Sequence, residues 1–240
     1  MATPTFRSAG TIGQANNQIT LTLNYTLTSG DLLLVTFNAG DAAVRSVSSV
    51  VWNGSETMTL IGNGDANAFR RNFVYGLMGA TPGAHSVVIT LDATAILIVG
   101  VVFGYSNVHT TTPWDASPET AFATSTSPSV TYDGGASGDL VVVTALSNED
   151  YTSLTMTNGT KRNEQVSADE GVIIIDAPSS ASDVTVNGSY GSSVTWVWAS
   201  FNLNASVDAA TLDWLPVTEV SQGPSMIAVP VGPIPPTVPQ

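Results

Sequence analysis

SGDLLLVTFNA, beginning at Ser29, and SGDLVVVTALS, beginning at Ser137, are two versions of one pattern: a turn, an aspartate, then an apolar strand. The likeness extends outward from both copies. The Asn53-Gly54 turn is echoed by Asn158-Gly159, NFVYGLMG from Asn72 by GVIIIDAP from Gly171, and ATAILIVGVVFGYSN from Ala93 by SVTWVWASFNLN from Ser193. Self-similarity at a spacing of roughly 100 residues is too long for a solenoid repeat. A duplicated half-sandwich is the simpler reading.

Between the repeated blocks the chain reads as short strands. Gln18 to Leu27 alternates strictly, which places Ile19, Leu21, Leu23, Tyr25 and Leu27 on one face and Thr20, Thr22, Asn24 and Thr26 on the other. Further strands are expected at 32–38, 47–52, 57–61, 72–78, 85–91 and 95–105, with Gly, Asn, Asp and Pro where the chain reverses. The expected fold is all-β: a duplicated two-sheet antiparallel β-sandwich, jelly-roll-like, with an extended Pro-rich C-terminal arm. The two halves either form separate small sandwiches or pool their strands; one domain is favoured. Its bounds are 18–204, built from halves 18–108 and 125–204 joined by a crossover at 109–124, with an N-terminal extension at 1–17. Pro113-Trp114 is expected to anchor the crossover.

Composition narrows the function. Charged residues make up 10% of the 240 and the net charge is -13, with one lysine, Lys161, and five arginines. No basic stripe exists to neutralise phosphates or dock on anionic lipid, so neither nucleic acid nor membrane is an expected partner. There are no cysteines, which leaves stability to packing and subunit contacts. The start, MATPTFRSAGTIGQANNQ, lacks a cationic stretch followed by an apolar run, so ordinary export is not expected. The longest apolar run, Ala95 to Phe103, is about half the roughly 20 residues a spanning helix requires.

After Asn204 the composition changes, with seven of the 13 prolines in residues 205–240. Proline lacks the N–H that a sheet interior needs. Apolar residues interleave with the prolines, and stiff extended chain loses little entropy on docking. Residues 205–240 therefore read as an arm that lies on a neighbouring subunit or staples back across its own domain. Leu212, Trp214, Leu215, Met226 and Ile227 are its expected partner-binding residues.

SGDLLLVTFNA, the Val/Trp strand before Asn53-Gly54, ATPGAHSVVITLDA, GYSNVHTTTPWDAS and TSPSVTYDGGASGDLVVVTA together resemble β-sandwich modules of tailed-phage structural proteins, also seen in bacterial surface proteins. The resemblance covers roughly residues 18 to 203 and consists of turn-and-strand punctuation without a catalytic signature. It implies a virion structural protein on the outer surface of a capsid: a decoration or cement subunit, made in the host cytoplasm. Such a subunit is expected to bind the major capsid protein or another virion protein and to self-associate, as a homotrimer. No enzymatic activity and no cofactor are implied. The alternative is a tail or fibre module that binds host glycans, with Trp114, Trp196 or Trp198 as stacking platforms.

Residues that could carry chemistry are sparse. His85 follows a Pro-Gly turn and His109 lies in the crossover; neither has a partner at metal-ligand spacing. Asp115 with Glu119, Glu149 with Asp150, and Asp169 with Glu170 could be read as glycosidase pairs but are better read as solvated turn residues. Asn63, Asp65 and Asn67 alternate in an expected loop yet lack the order of a calcium loop. Trp196 and Trp198 share one face of a strand, opposite Val197, Ala199, Phe201 and Leu203, a pattern that favours core or interface over a sugar platform.

Overall fold

Backbone pairing follows the repeat. The first half supplies β1 (Thr5–Ala9), β2 (Gly13–Leu27), β3 (Leu32–Gly40), β4 (Val47–Trp52), β5 (Glu56–Thr57), β6 (Thr59–Asn67), β7 (Arg70–Leu77) and β8 (Gly83–Ser106). The second supplies β9 (Glu119–Ser125), β10 (Ser129–Tyr132), β11 (Leu140–Asn148), β12 (Thr155–Asn158), β13 (Thr160–Val166), β14 (Glu170–Pro178), β15 (Val184–Ser189) and β16 (Val194–Leu203). The computed structural model describes residues 1–40, 44–67, 70–115, 118–148, 153–167 and 170–206, which belong to one compact unit, and no helix occurs among them.

Strand β8 organises the first half by belonging to two layers. Its beginning, Gly83 to Leu91, lies between β2 and β4; its end, from Ala95 to Ser106, lies between β3 on one side and β1 with the start of β2 on the other. The result is an outer layer ordered β5-β4-β8-β2 and an inner layer ordered β6-β7-β3-β8-β1. The second half has the same plan in separate sheets, an outer β10-β15-β12 and an inner β13-β14-β11-β16-β9. Every pairing between these strands is antiparallel.

Each half is thus a two-sheet β-sandwich, and the two inner sheets pack face to face. Three apolar cores result. One, with Leu23, Val35, Phe37, Trp52, Ile89 and Val102, fills the first sandwich; another, with Tyr132, Val143, Ile173, Val186 and Trp198, fills the second. Between the inner sheets lies a third, where Leu34, Val101 and Phe103 meet Val142, Ile174 and Phe201. The repeated apolar runs are explained by this: β3 and β11 are covered on both faces, so alternation is not required of them. The halves neither stand apart nor pool into one pair of sheets.

The turns before β3 and β11 match in conformation. Gly30 has φ 83° and Gly138 has φ 100°, values that L side chains seldom adopt, and Asp31 and Asp139 each close the turn through their N–H, to Thr28 O and Ala136 O, both at 3.2 Å.

Several expectations change. The expected strands at 85–91 and 95–105 are one continuous strand, because Asp92–Thr94 merely carries β8 from one layer to the next. Ile19 is 43% exposed: β2 changes layers through a register shift between Gln18 and Thr20, which turns that side chain out of the alternation. Residues 1–17 are integral, since they supply β1 and the start of β2. Crossover 109–124 contains most of β9, which pairs with β16 and so belongs to the second half. Trp114 does anchor the crossover, bridging to Leu203 and packing against the shared core. The arm from 207 onward, including Leu212, Trp214, Leu215, Met226 and Ile227, lies outside the described residues.

Candidate functional site

Each outer sheet presents one side to solvent. Register builds these sides in rows, because residues paired across strands point to the same side. On the first sandwich Thr20, Thr90 and Ser49 form one row and Thr22, Val88, Val51 and Thr57 the next, followed by Asn24 with Ser86. The second sandwich presents Ser129, Asn187 and Asn158, then Thr131 beside Thr185, then Ser189 beside Thr155. The Thr131 and Thr185 hydroxyls are 2.9 Å apart, so neighbouring strands are laced together at the surface. None of these rows contains a charged side chain, in a protein of net charge -13.

Several buried polar and charged groups link the halves. Asn38 Nδ2 donates to Glu170 Oε1 at 2.6 Å, and Asn72 Nδ2 donates to Thr144 O at 2.8 Å and Thr144 Oγ1 at 3.0 Å. Tyr105 Oη donates to Asp176 Oδ2 at 3.2 Å, where Arg162 Nε also donates at 2.8 Å. Burial holds the Tyr105 phenol well above its ordinary value, reinforced by the adjacent Asp176 carboxylate; the bond to Asp176 holds Arg162 above its own. These links fix the relative register of the two inner sheets, which apolar packing alone specifies weakly.

At one end of the second sandwich Asn202 Nδ2 lies 3.2 Å from Asp115 Oδ2, 3.1 Å from Asp139 Oδ2 and 3.1 Å from Asn204 Oδ1. The Tyr132 hydroxyl donates to the same Asp115 oxygen at 3.3 Å; burial first, then that carboxylate, pushes its pKa up. Asp139 Oδ1 accepts from Ala205 N at 2.7 Å, while Ala205 and Ser206 bridge to Val108 and Ala2. The cluster therefore ties residues 205–206, and through Ser206 the N-terminal Ala2, together with the crossover to the sandwich.

The candidate residues fall out as follows. Trp196 and Trp198 are 4% and 0% exposed in the second core, so neither offers a stacking face, and Trp114 covers Gly76, where an added Cβ would meet its ring at 2.8 Å. His109 is a turn residue whose Nδ1 accepts from Thr112 N at 3.1 Å. His85 sits edge-on to Trp52, ring centroids 5.3 Å apart. Glu170 is not a solvated turn residue: it begins β14 and is fully buried. Asp115 bonds Tyr132 and Asn202, and Glu119 begins β9. Glu149, Asp150 and Asp169 lie outside the described residues. Asn63, Asp65 and Asn67 lie on β6 rather than in a loop. Among the described residues no group of three or more His, Asp or Glu side chains could hold a metal ion. The uncharged outer rows were missed in the sequence because each is assembled from strands far apart in the chain; the signal available was the run of threonines in β2. No protein-family model, no curated protein and no solved structure matches this chain.

Proposed function

We propose that this protein is a structural assembly subunit, acting by contacts to copies of itself and to a larger protein shell, and specifically an outer decoration or cement protein of a tailed-phage capsid. The observation that carries the reading is the pair of uncharged outer faces. Interface cores are depleted of charge relative to the rest of a protein surface, and flat pleated faces rich in Thr, Ser and Val can be desolvated without stranding an ion. The low charge content and the apolar, Pro-rich residues 205–240 point the same way. Proline keeps that segment out of a sheet interior, while Leu212, Trp214, Leu215, Met226 and Ile227 gain from burial against a partner.

The specific place, on a capsid as a homotrimer bound to the major capsid protein, rests on the resemblance of the repeated turn-and-strand motifs. The test is to label the protein with antibody-gold on phage particles purified from the strain that carries the gene. Regular labelling of intact heads supports the reading. Particles that carry none of the protein, or labelling confined to tail fibres, would overturn it.

A further inference from the structure

An open groove of about 840 Å³ lies at the side of the first sandwich and adjoins its outer face at Asn24 and Ser86. It is walled by Ser8 and Ala9 of β1 with Gly10 and Thr11 beyond it, by Asn24 to Thr26 of β2, by Ala84 to Ser86 of β8, and by Gln165, which reaches across from β13 of the second half. Its size is in the range of sites for small ligands. No Asp, Glu, Lys or Arg lines it.

The wall is held rigid by bonds that do not involve its most accessible polar groups. Gln165 Oε1 accepts from Ile12 N at 2.6 Å and its Nε2 donates to Gly10 O at 2.7 Å, which clamps the β1–β2 connection to the other half. Gly10 N donates to Val102 O at 2.7 Å, and the Tyr25 hydroxyl lies 2.8 Å from Ser8 Oγ. By contrast the side chains of Thr11, Asn24, Thr26, His85 and Ser86 have no hydrogen-bond partner among the described residues. Register turns Asn24, Thr26 and Ser86 to the opposite side of β2 and β8 from Tyr25 and His85, so the hydroxyl and amide groups of Thr11, Asn24, Thr26 and Ser86 are the unengaged ones at the groove's rim.

We propose that this groove binds a neutral saccharide. A ligand dense in hydroxyls and free of charge can satisfy these groups in both directions, since hydroxyls donate and accept. A charged ligand would be desolvated there without a counter-ion, and an apolar one would strip water from the hydroxyls without replacing it. The same mismatch argues against the chain's own apolar, Pro-rich C-terminal segment as occupant. Tyr25 is buried in the first core and His85 packs edge-on to Trp52, so affinity is set by hydrogen bonds made in competition with water and is modest, on the order of 0.1–1 mM. Asn24 and Ser86 also form a row of the outer face assigned to assembly, so sugar binding is read beside the oligomer mass, which reports assembly separately.

The test is calorimetric titration of the full-length protein with maltotriose, cellotriose, chitotriose and a galactose trisaccharide, with a uronic-acid trisaccharide as the charged comparison. The expected result is saturable binding of at least one neutral sugar and weaker binding of the charged one. Asn24→Ala with Ser86→Ala should lower that affinity at least about tenfold, the share of one to two lost hydrogen bonds, while Thr131→Ala on the opposite sandwich changes nothing. Thr26→Ala gives a second, single-site variant, and unchanged thermal unfolding shows that each variant is folded. No saturable binding at millimolar sugar, binding indifferent to the groove substitutions, preference for the charged sugar, or occupation of the groove by a peptide of residues 205–240 would each overturn the proposal.

Discussion

Asp31 and Asp139 occupy the same position of the repeat, close the same turn, and then take different partners. Asp31 receives Arg7 Nε at 3.2 Å, whereas Asp139 receives Asn202 Nδ2 and the N–H of Ala205. The same divergence separates Gly76 from Asp176, which stand opposite Leu34 and Val142 in matching register: Trp114 covers the glycine, while the aspartate gathers Tyr105 and Arg162. Asp176 is 2% exposed but Arg162 is 40% exposed, so water screens part of the loss when the pair is broken. Asp176→Ala should destabilise the protein by about 2–3 kcal/mol, below the full cost of stranding a buried charge, read from the urea midpoint at unchanged slope. Tyrosine burial gives a second prediction. Tyr25, Tyr105 and Tyr132 are all shifted upward chiefly by burial, and Tyr190 is raised to about 12. A raised folded-state pKa leaves stability intact below the unfolded value of 10.0 and removes it as pH rises through the folded one. The thermal midpoint should therefore be flat up to about pH 10 and fall steeply towards pH 12, and Tyr105→Phe should flatten that fall. A midpoint unchanged across this window would contradict the burial.

At the scale of elements, β8 shows how a long strand serves two sheets and how closely the inner one is built. Its Gly100 lies against β3 so tightly that an added Cβ would meet Phe37 Cβ at 2.7 Å and Thr36 O at 2.8 Å. Because the obstacle includes backbone, Gly100→Ala should cost about 1–3 kcal/mol by overpacking, measurable by chemical denaturation; a neutral effect would mean that β3 can move aside. The repeated strands β3, β7 and β8 against β11, β14 and β16 were legible in the sequence, because strands covered on both faces need unbroken apolar runs and matching turns. Trp196 and Trp198 were legible as core for a related reason, their strand being apolar on both parities. Ile19 was not, since a bulge shifts parity without leaving a mark in composition. The division of β8 was not legible either: Asp92 reads locally as a break, and only the second layer beneath explains why the strand continues. Glu170 resembled its acidic neighbours in a loop, but its partner Asn38 lies in the other half, and no local pattern reports a contact between halves. The groove has the same character, drawing its wall from three strands and a glutamine of the second half.

For the whole molecule, the matching strand order of the two inner sheets makes the chain resemble a dimer joined by a crossover, with the shared core as its interface. That core predicts one cooperative transition in calorimetry, because neither sandwich can unfold without exposing the inner face of the other. Residues 1–108 expressed alone should aggregate through Leu32, Leu34, Val101 and Phe103, all 1% exposed or less in the full chain. Two separated transitions, or a soluble monomeric first half, would show the halves to be independent. With the inner faces consumed in this way, the proposed assembly is assigned to the outer faces. The most direct test is sedimentation-equilibrium mass of the full-length protein at micromolar concentration, beside a Thr22→Lys/Val88→Lys variant that puts charge into the outer face. The account predicts a discrete oligomer for the native chain, a trimer, and a shift towards the monomer mass of 24.8 kDa for the folded variant. A native chain that remains monomeric throughout, or an oligomer indifferent both to the lysines and to removal of residues 207–240, would contradict it.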